Sequence, residues 1–305
     1  MNKWFIYLLL FTGVLTHSVK AQSWANLRKE LLFGFGATNF LGDLGGSPKI
    51  GSEPFSMRDL NWPSTRPMFQ LGYRYRINKK SGYSYKLAFG YLYGNDSFTE
   101  NDVRFNRNIN FRAPIFELSA KYEYFVFLRE REGHRYNRKE LKGWKEIYDK
   151  IYIFAGLGVS VFIPQGQYLD GNWYNLRPYS TEGQGMVGTR KKYSLIQPVI
   201  PIGIGFKYAI SKEWSIGLEY GLRKTFTDYL DDTSTTYYNN DEIRTQKGDI
   251  AAYFADPSRG LIYGQTVPGA QRGDPTDKDS YMFATLSFYY KLKKSKSYPI
   301  TKPKF

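Results

Sequence analysis

The chain has 305 residues, a formal charge of +15, 27 tyrosines, 22 phenylalanines, 29 glycines and no cysteine. The missing thiol excludes disulfides, thiol chemistry and a lipoprotein anchor, which requires cysteine at the cleavage point. A mean hydropathy of −0.50 beside so many aromatics suits a soluble secreted protein or a membrane barrel, where only alternate residues face lipid and aromatics gather at the two interfaces.

Met1, Asn2 and Lys3 precede an apolar run over residues 4–15, and Val19-Lys20-Ala21 stands before Gln22. A basic start, an apolar core too short to span a bilayer and a small-residue site predict a signal peptide over residues 1–21. Loss of Lys3 and Lys20 takes the charge from +15 to +13. In an exported chain that charge points to anionic lipid head groups or an acidic protein partner rather than to nucleic acid.

From there the chain reads as strands with alternating character, ended by turn residues. The first covers about residues 30–41. In the second, Phe69, Leu71, Tyr73, Tyr75 and Ile77 alternate with Gln70, Gly72, Arg74 and Arg76. A turn at residues 78–82 leads into the third, where Tyr83, Tyr85, Leu87, Phe89, Tyr91 and Tyr93 alternate with Ser84, Lys86, Ala88 and Gly90. Side chains alternate across a strand, so each has one face for lipid and one for a polar interior. The fourth (about 110–128) sets Leu118, Ala120, Tyr122 and Tyr124 against Glu117, Ser119, Lys121 and Glu123. The fifth spans 151–163. The sixth spans 195–208 and contains Pro198 and Pro201, each lacking a ladder donor. The seventh (214–227) and eighth (281–292) complete the set, with Met282 expected on the lipid face.

Long and short connections alternate between these strands, the pattern of a membrane barrel with short periplasmic turns and long outer loops. The expected fold is therefore all-β, a transmembrane antiparallel up-and-down barrel of about eight strands over residues 22–292, followed by a basic periplasmic tail over 293–305. Arg74, Arg76, Lys86, Glu117, Lys121, Glu123, Lys207, Glu219 and Arg223 all fall on the interior face. Eight strands leave room only for side chains, so these charges should interlock as a plug rather than line a pore.

Catalysis finds little material. The two histidines are His17, in the signal peptide, and His134, in a charged segment, and no nucleophile elbow or zinc motif is present. No enzyme activity, cofactor, metal or small-molecule substrate is expected. The run Asp228, Asp231, Asp232 lacks the spacing of a calcium loop and reads as turn-shaping aspartates. Two basic extensions remain. Residues 129–150 hold eight basic and five acidic residues, and parity puts them in the periplasm with the tail. Candidate docking residues there are Arg131, Arg135, Arg138, Lys139, Lys142, Trp144, Tyr148, Lys293, Lys294 and Lys296.

Residues 30–44, Glu-Leu-Leu-Phe-Gly-Phe-Gly-Ala-Thr-Asn-Phe-Leu-Gly-Asp-Leu, resemble the opening strand of the PorG-like outer-membrane barrels of Bacteroidota, part of the type IX secretion system. Residues 223–235 and 272–283 match the same pattern. The motif positions are Asn39, Gly42, Asp43, Asp228, Tyr229, Asp231, Asp232, Arg272 and Gly273. The resemblance implies a non-enzymatic secretion or gliding subunit that sits in outer-membrane lipid and docks periplasmic ring proteins like PorK and PorN. A generic small barrel with surface-binding loops is the alternative.

Overall fold

A computed structural model describes residues 28–44, 62–78, 80–127, 151–186, 190–210 and 213–292. The expected signal peptide, residues 129–150 and the tail lie outside the described residues. Among the described residues ten strands are present: β1 (Lys29–Leu41), β2 (Arg66–Arg76), β3 (Ser81–Asn95), β4 (Asn110–Phe125), β5 (Ile151–Phe162), β6 (Gln165–Gln167), β7 (Trp173–Asn175), β8 (Ile196–Ala209), β9 (Trp214–Thr225) and β10 (Ser280–Leu292). Eight of them close on themselves. Each pairs antiparallel with its neighbours in the order β1, β2, β3, β4, β5, β8, β9, β10 and back to β1, with β3 meeting β4 and β10 meeting β1. The short hairpin β6–β7 hangs from β4 through Arg112 and Gln165.

Strand length fits a bilayer crossing. A tilted membrane strand needs about 9–11 residues, and the barrel strands run from 11 in β2 to 16 in β4. Alternation then decides the faces. On β4, Leu118 is 63% exposed, while Glu117 and Lys121 on either side of it are each 1% exposed. The same switch repeats on β3, where Tyr85 and Leu87 stand outside and Ser84 and Lys86 inside. An apolar, aromatic exterior thus encloses a polar interior, as expected from the sequence.

The ends of the barrel differ. Among the described residues, one carries the ends of β2 and β8, the starts of β3 and β9 and the chain at residues 28 and 292; the other carries the four loops that join β1 to β2, β3 to β4, β5 to β8 and β9 to β10. The described residues of those loops hold secondary structure beyond the strands read from the sequence. They contain the β6–β7 hairpin and three helices, α1 (Asp102–Arg107), α2 (Asn240–Lys247) and α3 (Asp249–Ala255). Other differences are local. β4 ends at Phe125, and β8 runs straight through both prolines: the ladder to β5 breaks opposite Pro201 and resumes at Val199, while Pro201 still lies across from Arg223 on β9. Met282 occupies the outer face yet is buried, because Tyr220 covers it and donates its hydroxyl to the sulfur.

Interior glycines make room for large polar side chains. A Cβ at Gly205 would fall on the ring of Tyr152, whose hydroxyl donates to Glu219 at 3.1 Å. We expect Gly205→Val to cost about 1–3 kcal/mol through overpacking, read as a lower urea midpoint for the fast-migrating folded band on unheated gels; an unchanged midpoint would show that the lumen repacks freely.

Candidate functional site

The lumen is stacked in layers. Nearest the short-turn end, Arg74 lies 2.6 Å from Glu123 and 3.5 Å from Glu30, and Lys207 also pairs with Glu30. The Arg74 guanidinium is flanked by the rings of Tyr289 at 4.4 Å and Tyr152 at 5.0 Å. In the middle, Glu219 takes Lys86 at 2.5 Å and Lys121 at 2.9 Å, one on each carboxylate oxygen. Gln70 completes that level by donating to Thr285 and Ser287. Above it Arg223 meets Glu117 at 3.3 Å, and Tyr281 donates to the same carboxylate oxygen at 2.9 Å. A charge taken out of water stays charged only with a counter-charge at hand, and alternation from strands far apart in sequence supplies each one. The cavity at the short-turn end, lined by Glu30, Arg76, Lys207 and Lys291, holds about 70 Å³, enough for a couple of waters. The sequence-derived interior set is thus brought together, with Glu30, Tyr152, Tyr281 and Tyr289 as partners it lacked.

Over the charges sits an apolar stopper. Phe40, Met68, Leu92, Phe111, Ile115, Phe162 and Phe283 converge from the strands, and two loop leucines, Leu44 and Leu230, are pushed in from above. The loops hold those leucines by their backbones. Leu44 N–H donates to Asp231 at 3.2 Å, and Leu230 N–H donates to Asp279 at 2.9 Å. Asp231 also accepts from Thr233 N–H, and Asp228 accepts from the Ser234 hydroxyl. Tyr229 stacks on Tyr193 at 4.7 Å between centroids, and Tyr193 donates to Asp232.

A second tier binds the four long loops to one another. Arg107 at the end of α1 grips Asp96 with two nitrogens at 2.8 Å and donates to the carbonyls of Asp43 and Arg272. Arg272 reaches Glu182 at 3.1 Å and the carbonyls of Asp232 and Phe254. Glu182 in turn accepts from the backbone of Ser234 and Thr235 and from the Thr235 hydroxyl. Asp43 accepts from Asp274 N–H. Here glycine is required twice: a Cβ at Gly42 would collide with Asp279 and the Phe40 ring, and one at Gly273 with Asp43 and the Ser234 backbone.

Eight of the nine motif positions, Gly42, Asp43, Asp228, Tyr229, Asp231, Asp232, Arg272 and Gly273, therefore form one lock. The ninth, Asn39, is buried just below and donates to Thr65 at 3.3 Å. Asp228, Asp231 and Asp232 shape loops, as their spacing suggests. Sequence reasoning missed Asp96, Arg107 and Glu182 and held Asp279 only as part of the matching segment 272–283; the sequence trace of Glu182 is the Gly-Gln-Gly that follows it, whose two glycines both take positive φ. The ten docking candidates Arg131, Arg135, Arg138, Lys139, Lys142, Trp144, Tyr148, Lys293, Lys294 and Lys296 all fall outside the described residues.

Burial dominates the electrostatics of the lock. It pushes Asp43 and Asp232 up to about 6 and Asp228 up to about 7, and raises Asp231 and Asp279 well above the usual carboxylate range. Neighbouring carboxylates add to the rise at Asp231 and Asp279, while Arg107 and Arg272 oppose it at Asp43 and Asp232. Asp228 and Asp279 each keep one buried oxygen with no hydrogen-bond partner among the described residues, consistent with a proton residing there.

A closed antiparallel barrel with an apolar aromatic exterior and internally satisfied charges is a transmembrane β-barrel of the outer membrane. Among the described residues no helix is long and apolar enough to cross a membrane; the strands make the crossing. The chain belongs to the family described as "Domain of unknown function (DUF6089)", whose model matches residues 3–252. No curated protein matches it. Solved structures similar to it include Ail, the attachment invasion locus protein of Yersinia pestis, in complex with the heparin analogue sucrose octasulfate. That chain is 9% identical over 87% of this chain and 97% of its own, with a TM-score of 0.37. Neisserial surface protein A is 7% identical over 87% and 97%, at a TM-score of 0.35. The outer membrane protein AlkL is 9% identical over 93% and 100%, also at 0.35. The barrel assignment itself stands on the strand register and the exposed apolar wall.

Two outcomes follow from this arrangement. Glu219→Leu strands Lys86 and Lys121 and should cost about 3–5 kcal/mol, whereas Glu219→Leu combined with Lys86→Met and Lys121→Met should regain most of it; urea titration of both variants in detergent measures the difference. For the lock, carboxyl groups raised by folding lend stability that is complete below about pH 4, the range of an unfolded aspartate, and is lost as pH rises through 6 to 7. Amide exchange in residues 228–235 and 272–279 should accordingly be slower at pH 5 than at pH 8 after correction for intrinsic rates, and Asp231→Asn should shrink that difference. Equal protection at both pH values would rule out protonated carboxyls in the lock.

Proposed function

We propose that the protein is a non-conducting, non-enzymatic outer-membrane anchor of the type IX secretion or gliding machinery. In this reading the long-loop end faces outward, and residues 129–150 and the tail reach into the periplasm, where they dock ring proteins of the PorK and PorN kind. One observation carries it: the lumen is filled by paired charges and closed by an apolar stopper, so the barrel's work lies in what it holds rather than in what it passes. The sequence resemblance supports the choice of machine, and its motif residues are those that assemble the lock.

One feature favours the surface-binding alternative. Gly260 and Gly264, both at positive φ, bracket Leu261, Ile262 and Tyr263, and Tyr263 is fully exposed. The segment is fastened where Leu261 N–H donates to Asn106 at 2.6 Å and Gln265 donates to the Val103 carbonyl. A fastened apolar tip is a ready contact for another surface.

Affinity purification of the tagged barrel from detergent-solubilised outer membranes separates the two. The anchor reading expects periplasmic ring proteins to co-elute, and expects Arg131, Arg135, Arg138, Lys139 and Lys142 changed together to Glu to abolish that while barrel levels hold. Unimpaired secretion after gene deletion, with no ring protein recovered, overturns it. Loss of cell-surface binding on replacing Leu261, Ile262 and Tyr263 with Ser would favour the alternative.

A further inference from the structure

At the long-loop rim the barrel carries two guanidinium groups that form no ion pair among the described residues. Arg112 on β4 lies directly across the ladder from Tyr93 on β3, and its guanidinium sits 4.4 Å from the ring centroid of Trp173. Arg66, the first residue of β2, places its guanidinium 3.8 Å from the ring centroid of Tyr93. Tyr93 and Trp173 meet edge to face at 6.4 Å. The four side chains form one strip across β2, β3, β4 and β7, and all four are half-buried.

The two cations contrast with the arginines below and above the stopper. Arg74, Arg107, Arg223 and Arg272 each meet a buried carboxylate. Arg66 instead turns one nitrogen to the carbonyls of Pro63 and Thr65, and Arg112 donates through Nε to Gln165 at 2.8 Å. Among the described residues neither forms an ion pair, and Arg112 keeps both terminal nitrogens uncommitted. Stacked on aromatic faces, a guanidinium is held in place with its fork of donors still available.

Directly beneath lies an apolar wall. Register pairs Tyr91 with Pro114, Phe89 with Phe116 and Leu87 with Leu118 on the same outer face. Phe89 packs on Phe116 at 4.6 Å and on Tyr91 at 5.5 Å. From Phe89 to Tyr93 the strand rises roughly 13 Å, so hydrocarbon-facing aromatics give way to cations within the depth of one lipid head-group region. We propose that Arg66 and Arg112, framed by Tyr93 and Trp173, bind the phosphate of a membrane lipid whose acyl chains lie along Tyr91, Phe89 and Phe116. The site rests on the barrel crossing a membrane and not on any role in secretion. With the long loops outward, the leaflet is the outer one and the ligand class is a phosphorylated glycolipid.

Native mass spectrometry of the full mature chain in detergent, titrated with bis-phosphorylated lipid A or its dephosphorylated counterpart, tests this. The wild-type barrel should retain the phosphorylated lipid, and Arg66→Gln with Arg112→Gln should weaken retention roughly tenfold, the scale of losing charge-assisted hydrogen bonds. The dephosphorylated lipid should bind both proteins at the variant's level. Should the double variant fail to fold on unheated gels, the single variants replace it, each expected to lose several-fold. Equal retention of the phosphorylated lipid by wild type and folded variants, or of the two lipids by wild type, overturns the proposal. Displacement of the lipid by millimolar inorganic phosphate would do the same, because it would mark a site for the free anion.

Discussion

Inside a bilayer no backbone amide can be left to water, and this chain answers that constraint by closing eight strands into a ring. Everything else depends on the closure. Once β10 lies against β1, none of the eight barrel strands keeps an open edge, every outward side chain must suit lipid and every inward one must find its partner within the lumen. The six interior cations Arg74, Arg76, Lys86, Lys121, Lys207 and Arg223 and the four carboxylates Glu30, Glu117, Glu123 and Glu219 come from six of the eight strands. The charge plug is therefore a product of strand order as much as of composition.

That dependence also explains what could be read in advance. Which face a strand residue occupies is a local property with a period of two, so the strands, the lipid wall and the interior charge set were legible in the alternation of residues such as Tyr83 to Tyr93. Pairings were not, because Glu219 and Lys86 meet only through the ring as a whole. The loops carried still less. Asp43, Asp231 and Arg272 stood out through family resemblance, yet Arg107 and Glu182, which tie those loops together, follow no period. The helix α2 had a visible start in Asn239 followed by Asp241 and Glu242; a reading tuned to strands passed over it.

The three tiers of the molecule do different physical work. The lumen charges fill the barrel, the stopper separates them from the loops, and the lock fixes the loops to the stopper by their backbones. The raised carboxyls belong to the last tier, where several acids are buried close together with few cations. At the rim the balance reverses, with Arg66 and Arg112 stacked on Tyr93 and Trp173. The protein thus gathers acids raised by burial under its cap and places aromatic-stacked guanidinium groups at its rim.

The hydrogen bond from Leu44 to Asp231 joins residues 187 positions apart, and the one from Asp274 to Asp43 spans 231. Neither can form until the first strand and the last lie side by side. Burying Leu44 and Leu230 together consequently requires the closed ring, and it tolerates no slip of register between β1 and β10, since a shift of one residue would turn every side chain of one strand to the wrong face. The cap thereby serves as a seal of authenticity: a barrel that wears it has closed, and closed in register.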